Sequence, residues 1–596
     1  MTVHSTHAIT AELKRTAIMR GNGRVSSMSR PFERIPVEIL ARILIWTIED
    51  DDSASPDPDR IDIRYYGTYL PTFISDPWSL RNVMRVCSHW RLVALKTPDL
   101  WRSVDVYQHV DPLVLCLDRS RNKMVDVSLH RLSGARLALP LLIAHSHRLR
   151  KLSIHWPYED RDDEDECREL TDQVSELYLP VLEELLVDHG EILWPEDLPL
   201  DPNLLPSLRI VRFDTHYISW DSKIFTQLRI LHLQDVPAPR EKDIPLSAFL
   251  AILARCQLLE ELVLARASFM MGPHLTQEPT HEGQLAGPTV ELPKLRLLHL
   301  EWDYVWRTPC ENYRLLQHLR LRPHTTVRIA ADFAPSHDVG DAHSLLDLIP
   351  RNPACLPILT SGISARVFID PKPPVFIRFA VGSIMESKDL TLLLAKDAAV
   401  NPSWPEWYGA DQHLIDFGTL FADAPLTRLS IETEGFSTAG LESSFRLLKH
   451  LTTIEVAFKT LGALVELLNA LAGLSSLSSS SLPSTSATPP PSSIRSEEAF
   501  SDTDDSHIAV VPQLRVLKLQ TFPWHPDLLS DIERCLQWRY EHGTELEELH
   551  IEAYGREKDT TGEVELQLNH IAQLVALQMR VNGSVVFVDA PLPSSS

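Results

Sequence analysis

The sequence predicts a mixed α/β fold, in which a short block of three helices precedes a long, irregular solenoid of parallel strands and helices. Two observations support this prediction. A six-residue phrase, apolar at its first, fourth and sixth positions, recurs along most of the chain, and the segments between its copies have apolar residues at helical spacing. Residues 31–105 form a dense apolar block that lacks the phrase.

The repeated phrase has the pattern of a short buried strand. Its fourth and sixth residues would point to one face of a sheet, and its first leucine would close the preceding turn. Copies between 149 and 316 start 20 to 36 residues apart, which brackets the length of a leucine-rich repeat. Segments such as 245–256 would pack as helices behind the strands, because one repeat alone cannot bury its apolar face. The copies are LRKLSI (149–154), LEELLV (182–187), LRIVRF (208–213), LRILHL (228–233), LEELVL (259–264), LRLLHL (295–300), LQHLRL (316–321), LTRLSI (426–431), LTTIEV (451–456), LRVLKL (514–519) and LEELHI (546–551).

Two stretches interrupt the repeats. Residues 322–425 lack the phrase, although ARVFID (365–370) and PVFIRFA (374–380) have strand patterns, so either the repeats diverge there or a different element is inserted. Residues 475–509 are rich in serine and proline and then acidic, which predicts a disordered loop. The repeats are therefore predicted over 106–474 and 510–590, and the polar residues 1–30 form a flexible arm.

Length, composition and charge exclude several classes of function. With 596 residues the chain is too long for one compact core, and 44% hydrophobic with 23% charged residues is ordinary globular usage. A net charge of −24 disfavours a nucleic-acid partner, because phosphate neutralisation needs a basic face. No apolar run is long enough for a membrane span or a secretory signal, so we expect a cytoplasmic or nuclear protein. The seven scattered cysteines, without CxxC, suit a reducing compartment and predict neither a disulfide framework nor a zinc site.

The apolar block over 31–105 divides into three short helices. Pro36 suits the first position of one helix, Pro77 starts a second, and Ser88 caps a third. An acidic, proline-bearing insertion near 49–75 separates the first two. The apolar stripes contain Ile39, Leu40, Ile43 and Leu44, then Leu80, Val83, Met84 and Cys87, then Trp90, Val93 and Ala94.

Such a small bundle has little interior. The stretch VCSHWRLVALKTPDLW (86–101) adds two tryptophans to it. The bundle is too small to bury both of them together with the three apolar stripes. Large exposed apolar patches usually mark partner sites, and tryptophan is frequent among binding hot spots. The alternative is that the block packs against the first repeat, and composition leaves both interpretations open.

Three segments of this block resemble the F-box, in the form common in mushroom-forming (basidiomycete) fungi. They are Ile-Pro-x-Glu-Ile-Leu (35–40), Val-Cys-x-x-Trp-Arg (86–91) and Thr-Pro-x-Leu-Trp (97–101), in the family's order. The resemblance implies binding to the Skp adaptor of Skp–cullin–F-box ubiquitin ligases. In that family leucine-rich repeats often recruit a protein substrate, so the resemblance implies a substrate-recruiting subunit that is not itself an enzyme.

The resemblance also implies which residues make the adaptor contact. Two features depart from the family's pattern. Ile35 stands where leucine is more usual, and the insertion near 49–75 is longer than usual, so it is either a tolerated surface loop or an obstruction. The predicted contact contains Ile35, Pro36, Ile39, Leu40 and Ile43, and the rest of the surface or the small core beneath it contains Val83, Val86, Cys87, Trp90, Leu100 and Trp101.

The fifth position of each phrase should lie on the concave face of the solenoid. If that face holds the substrate, its basic residues suggest an acidic or phosphorylated segment. Neighbouring carboxylates such as Asp188, Asp214 and Glu301 equally suit a mixed polar face. The candidate substrate-binding residues are Arg212, His232, His299, Arg320 and Lys518.

No pattern in the sequence predicts catalysis, a cofactor or a metal. His145 and His147 have no third ligand at ligand spacing, and the acidic run 162–167 lacks the alternation and glycine of a calcium loop. Phosphate-binding, zinc-protease and serine-hydrolase motifs are absent from the sequence. Two alternatives to the ligase subunit stay open: an interaction scaffold outside any ligase, and an enzyme with an unrecognised site in 322–425.

Overall fold

The computed structural model divides into two compact units, Met1–Lys151 and Leu152–Ser596. The predicted arm (1–30), most of the predicted insertion (53–75) and the Ser/Pro-rich segment (475–509) lie outside the described residues. The structure describes residues 35–52, 77–155, 164–188, 197–198, 200–214, 217–218, 221–234, 246–265, 289–302, 310–332, 344–370, 375–383, 389–396, 410–433, 436–458, 460–473, 510–523, 526–554, 578 and 580–589.

The first unit begins with helices and continues with a pair of strands, and it extends beyond the predicted end of the helical block at residue 105. The first helix runs through residues 49–52, which the sequence analysis assigned to the insertion. The elements are α1 (Val37–Asp52), α2 (Pro77–Val86), α3 (Ser88–Lys96), a 3₁₀ turn (Pro98–Trp101), β1 (Ser103–Val106), α4 (Asp111–Arg119), β2 (Val125–Leu129), α5 (Leu132–Ala144), a second 3₁₀ turn (Ser146–Arg148) and β3 (Leu149–His155), which spans the division.

The starts of two helices differ from the prediction by one residue. Cys87, not Ser88, is the N-cap of α3: its backbone is extended, and its Sγ accepts a hydrogen bond from the backbone N–H of Trp90 at 3.4 Å. The carbonyl of Pro36 accepts from the N–H of Leu40 at 2.9 Å. Pro36 therefore lies just outside α1, where its missing N–H costs no helical hydrogen bond.

Strands β1 and β2 are parallel, with Val106 opposite Leu129. The backbone N–H of His130 donates to the carbonyl of Val106 at 2.8 Å, which extends the pairing past the strand ends. Helix α5 approaches this edge closely, since a Cβ on Gly134 would lie 1.7 Å from the carbonyl oxygen of Tyr107. Only glycine fits there, so the ends of both strands and the start of α5 meet at one edge.

The second unit alternates strands with helices or turns. Its elements are α6 (Glu164–Ser175), β4 (Glu184–Asp188), β5 (Asp197–Leu198), β6 (Ile210–Asp214), β7 (Tyr217–Ile218), a 3₁₀ turn (Lys223–Thr226), β8 (Ile230–Gln234), α7 (Leu246–Arg255), β9 (Glu261–Ala265), β10 (Val290–Glu291), β11 (Leu297–Trp302), α8 (Cys310–His318), β12 (Leu319–Arg320), β13 (Thr326–Asp332), α9 (Leu345–Leu348), α10 (Ile358–Ser361), β14 (Ser364–Asp370), β15 (Val375–Gly382), β16 (Leu390–Lys396), α11 (Ala410–Leu420), β17 (Arg428–Thr433), α12 (Thr438–Leu447), β18 (Thr453–Phe458), α13 (Leu461–Leu471), β19 (Val516–Pro523), α14 (Pro526–Glu541), β20 (Glu548–Tyr554) and β21 (Ser584–Asp589).

Most of these strands form one large, mostly parallel sheet. Neighbouring strands are also joined just before they begin: the carbonyl of Glu183 accepts from the N–H groups of Arg209 and Ile210, and the same fork recurs at later strands. In the described part of the second unit the order is β4-β6-β8-β9-β11-β13-β16-β15-β14-β17-β18-β19-β20-β21.

Ten of the eleven phrases lie on strands, with their apolar positions buried. Residues Leu185 and Val187, the fourth and sixth of one phrase, line the same enclosed space as Val174 of α6, so this face of the sheet packs against helix. The first leucines, each at most 1% exposed, are Leu149, Leu182, Leu208, Leu228, Leu259, Leu295, Leu426, Leu451, Leu514 and Leu546.

The phrase LQHLRL (316–321) is the exception, and its assignment to the main sheet was wrong. It ends α8 and continues into β12, which pairs with β10 in a separate two-stranded sheet. Leu315, Leu316 and Leu319 are all buried at helical spacing, so the helical period prevails over the alternation of the phrase. The main sheet takes its strand from β13 instead.

The ambiguous stretch 322–425 contains a different element. Strands β14, β15 and β16 form an antiparallel meander, and ARVFID and PVFIRFA provide the first two. Because β16 pairs in parallel with β13 while β14 pairs in parallel with β17, the meander enters the sheet with its chain order reversed.

Candidate functional sites

The helices of the first unit enclose a small apolar core. Leu40 and Leu44 of α1 are fully buried and pack with residues of α2, α3 and the 3₁₀ turn. Trp101 is only 5% exposed, and its Nε1 donates to the carbonyl of Ala94 at 2.9 Å. The core cluster is Leu40, Leu44, Val83, Val93, Ala94, Leu100 and Trp101, with Ile35, Ala41, Ile45, Met84, Trp90 and Leu95 packed against it.

The two tryptophans are therefore more buried than the sequence analysis expected. Trp101 belongs to the core, and Trp90 is half-buried against it. A buried indole needs a hydrogen-bond partner, which the end of α3 supplies to Trp101. The inference that both tryptophans exceed the capacity of the bundle was wrong for Trp101.

A second stripe of apolar residues on the same helices faces outward. Ile39 and Ile43 lie one turn apart on α1 and are 51% and 37% exposed, next to the buried pair Leu40 and Leu44. We call the exposed large apolar residues of these three helices the apolar rim: Val37, Ile39, Ile43, Val86 and Leu92.

The predicted adaptor-contact residues divide between the apolar rim and the core. Leu40, assigned to the contact, is fully buried and does not reach the surface, because its side of α1 faces the core. Pro36, Ile39, Ile43 and Val86 are exposed, Ile35, Cys87 and Trp90 are half-buried, and Val83, Leu100 and Trp101 are buried. The sequence analysis missed Val37 and Leu92, which lie outside the expected stripes.

The second candidate site is the polar face of the large sheet. Arg212, His232, Val263, His299 and Arg328 pair in one continuous row across β6, β8, β9, β11 and β13. Arg328 takes the place assigned to Arg320, which lies in the small β10–β12 sheet and pairs there with Glu291 at 3.1 Å. The alternation of Val327, Arg328 and Ile329 was the signal that could have identified it.

Carboxylates accompany the cations in this row. The Arg212 Nη1 donates to Glu184 Oε1 at 2.6 Å, and the His232 Nε2 lies 3.6 Å from Glu261 Oε2. Burial lowers the pKa of His232, and the hydrogen bond from His232 lowers the pKa of Glu261. An acidic or phosphorylated segment would therefore compete with the protein's own carboxylates on this part of the sheet.

The same face continues beyond the meander with more exposed side chains. Arg366, Ser430, Glu455, Lys518 and His550 pair in a row across β14, β17, β18, β19 and β20. Further pairs lie alongside: Arg366 with Glu432 at 2.8 Å, Arg428 with Glu455 at 2.6 Å, and His550 with Glu548. This half presents both signs of charge to a partner.

A buried polar cluster in the stretch 322–425 bears on the enzyme alternative. Asp416 of α11 is 1% exposed and accepts from the Oγ of Ser344, the N–H of Leu345 at 2.9 Å and the Nε2 of Gln412 at 2.7 Å. Burial lowers the pKa of nearby His413 to about 4. Because Ser344 donates to a carboxylate that also caps α9, the arrangement is that of a helix cap and not of a nucleophile with its base.

Several thiols are buried within the described residues. Cys87, Cys116, Cys256, Cys355 and Cys535 are free thiols, and burial raises the pKa of Cys116 and Cys256 to about 12 and of Cys535 to about 11. Within the described ranges, no group of three or more His, Cys, Asp or Glu side chains is placed to hold a metal ion. Over the same ranges, none of the helices has the length and apolarity needed to cross a membrane.

Comparison with protein families matches one part of the chain. The F-box-like family model matches residues 32–107, the segment that contains α1, α2, α3 and the first 3₁₀ turn. The chain therefore carries an F-box-like domain near its N-terminus, and a role as an adaptor in ubiquitin ligase complexes is what this domain suggests. A search of curated proteins returned no match to the chain.

Proposed function

We propose that this protein is the substrate-recruiting F-box subunit of a Skp–cullin–F-box ubiquitin ligase, acting in the cytoplasm or nucleus. The observation that supports it is the apolar rim on the F-box-like domain. Ile39 and Ile43 stay exposed although the neighbouring Leu40 and Leu44 form a complete core beneath them. A folded helix with a second, outward-facing apolar stripe suits docking into a partner's groove.

The Skp adaptor is the proposed partner of the apolar rim, and a cullin would join through it. The chain itself supplies no catalytic group to this scheme, because ubiquitin transfer would be performed by the rest of the complex. Its contribution would be to hold a substrate near the transferring enzyme.

The second unit would hold the protein substrate. Its buried leucines and recurrent backbone forks support an irregular leucine-rich-repeat solenoid, interrupted by the meander, of the kind found with F-boxes in mushroom-forming fungi. The more exposed half of the polar face, around Arg366 and Lys518, would contact the substrate. Its balanced charges favour a segment with polar groups of both signs over a purely acidic one.

Co-purification of the full chain with a Skp adaptor tests the docking proposal. Ile39→Asp together with Ile43→Asp places two charges on the apolar rim without entering the core, so we expect adaptor affinity to fall at least about 30-fold. Leu137→Asp is the matched control, since Leu137 of α5 is 57% exposed but lies outside the apolar rim. Circular dichroism would establish that each variant folds.

Two outcomes would contradict the proposal. Undiminished binding by the folded double variant would remove the apolar rim from the interface. Failure of the wild type to bind the adaptor would favour a scaffold acting outside a ubiquitin ligase.

The substrate surface has its own test where adaptor binding is seen. Arg366→Glu with Lys518→Glu should release proteins other than the adaptor that co-purify with the wild type, and Lys449→Glu, outside the sheet, should retain them. Retention of the same proteins by the double charge reversal would contradict the substrate surface.

A further inference from the structure

The last strand of the second unit, β21, forms an edge of the large sheet. It pairs in parallel with β20, from Ser584 opposite Glu548 to Asp589 opposite Ala553. Within the part of the chain that the structure describes, β21 pairs with no second strand. The outer side of such a strand carries a row of backbone N–H and C=O groups that can pair with a further strand.

The hydrogen bonds at the start of β21 show which backbone groups face outward. The N–H of Ser584 donates at 3.0 Å to the carbonyl of the residue just before β20, so Ser584 turns its backbone groups toward β20. The N–H of Val585 points the other way and donates to Oε1 of Gln578 at 3.1 Å. Because this direction alternates along a strand, Phe587 and Asp589 also present their N–H and C=O groups to the open edge.

The side chain of Gln578 occupies the first part of this edge as a neighbouring strand would. Its Oε1 accepts from the N–H of Val585, and its Nε2 donates to the carbonyl of Gly583 at 2.7 Å. One amide group therefore satisfies one outward N–H and one outward C=O. Within the described residues, no hydrogen bond reaches the outward groups of Phe587 and Asp589 or the carbonyl of Val585.

These open groups are complementary to a second copy of themselves. When two copies of β21 pair antiparallel about Phe587, each Phe587 N–H donates to the Phe587 carbonyl of the other copy, and each Asp589 N–H donates to the Val585 carbonyl of the other copy. The same register places residue 591 of one copy opposite Gly583 of the other. Residue 591 is a proline, which has no N–H to offer, and Gln578 already binds the Gly583 carbonyl. The run of open groups therefore ends at the same point in both copies.

The edge also lacks the features that commonly block strand addition. Lysine, proline and bulges protect many natural edges, and β21 reads SVVFVD, with no charge before Asp589 and no register shift against β20. Val586 is 36% exposed, and it is one of only four exposed large apolar residues in the described part of the second unit. The strand is therefore open to a partner with a similar uncharged edge.

We propose that β21 is a self-association site, at which two copies of this chain join their sheets edge to edge by antiparallel pairing about Phe587. Because the two-fold axis of such a pair is normal to the sheet, the polar faces of both copies lie on the same side. The proposal does not rest on adaptor docking or on the substrate surface, since it uses the sheet edge alone. Residues 585–589 of each copy make a small interface, so we expect a Kd of about 10–50 μM.

Sedimentation velocity of the full chain, from about 1 μM to about 200 μM, tests this proposal. We expect a reversible equilibrium between monomer and dimer. Asp589→Pro removes the N–H that donates to the other copy, at an outward position where an edge strand accepts proline, and should leave the chain monomeric over this range. Asp589→Asn keeps that N–H and should dimerise as the wild type does.

A second pair of variants tests the side-chain face of the edge. Val586→Lys places two like charges near each other across the two-fold axis and should weaken dimerisation at least about tenfold. Val114→Lys is the matched control, since it makes the same change at an exposed valine of α4 in the first unit, and it should dimerise as the wild type does.

Hydrogen exchange locates the contact. The amides of residues 584–589 should exchange more slowly at high than at low protein concentration in the wild type, and at one rate in Asp589→Pro. A wild-type chain that stays monomeric to about 200 μM overturns the proposal. So does a dimer whose exchange at 584–589 does not depend on concentration, or one that persists undiminished in either variant when its circular dichroism is native. If Asp589→Pro does not fold, weaker dimerisation of Val586→Lys than of Val114→Lys upholds the proposal, and equal dimerisation overturns it.

Discussion

The two units of the molecule expose different kinds of surface. Fifteen large apolar side chains are exposed among the described residues, and eleven of them lie in the first unit, which is much the smaller. The second unit buries its apolar side chains along the sheet and places paired charges on the opposite face. This difference is why the proposed function gives the first unit an apolar contact and the second a polar one.

The sharpest test of the first unit compares adjacent residues on α1. Leu40→Asp buries an unpaired charge in the core, which should cost several kcal/mol and unfold the unit. Ile39→Asp, on the outward stripe, should change the free energy of unfolding by less than about 0.5 kcal/mol. Urea unfolding of both variants measures this, and equal losses would contradict the division between core and apolar rim.

The second unit should be weakened by acid through a buried histidine. Burial holds the pKa of His413 at about 4, below the 6.5 of an exposed imidazole, so the unfolded chain binds the extra proton between these values. Stability therefore falls as the pH drops from 6.5 to 4, by about 3 kcal/mol from this group. His413→Gln should flatten the pH dependence of urea unfolding, and an unchanged pH dependence in a folded His413→Gln variant would contradict this prediction.

Ion pairs on the polar face should differ in strength with their exposure. The side chains of Arg212 and Glu184 are 13% and 16% exposed, so Arg212→Ala should cost about 1–3 kcal/mol by leaving a carboxylate shielded and unpaired. The side chains of Arg366 and Glu432 are 60% and 35% exposed, and Arg366→Ala should cost less than about 1 kcal/mol. Thermal unfolding of the two variants gives the ranking, and the reverse order would show that the buried half of the face contributes no more than the exposed half.

The strands were predictable from the sequence where local pattern decides them. In LRILHL the alternation of apolar residues fixes which face is buried, and the first leucine, Leu228, fills the turn before β8. In LQHLRL the same letters also fit a helix, and packing of Leu315 and Leu316 decides the matter. The reversed meander was beyond prediction, because β13 finds β16 through tertiary pairing and not through any sequence signal.

The functional sites were likewise predictable where local sequence pattern decides them, and not where tertiary packing does. The segments 35–40 and 86–101 located the F-box-like domain, since their spacing reflects helices that pack together. They could not separate Ile39 from Leu40, because a turn of helix places both near the core boundary.

The reversed meander also has a consequence for how the chain folds as it is synthesised. In a regular array each strand pairs with the next one to leave the ribosome, and folding spreads from neighbour to neighbour. Here β13 must wait for β16, so its open edge stays available to wrong partners while the intervening segment is made. Pairing Val327 with Leu390 is a long-range event, so we expect it to be slower than the pairing of successive strands such as β8 and β9.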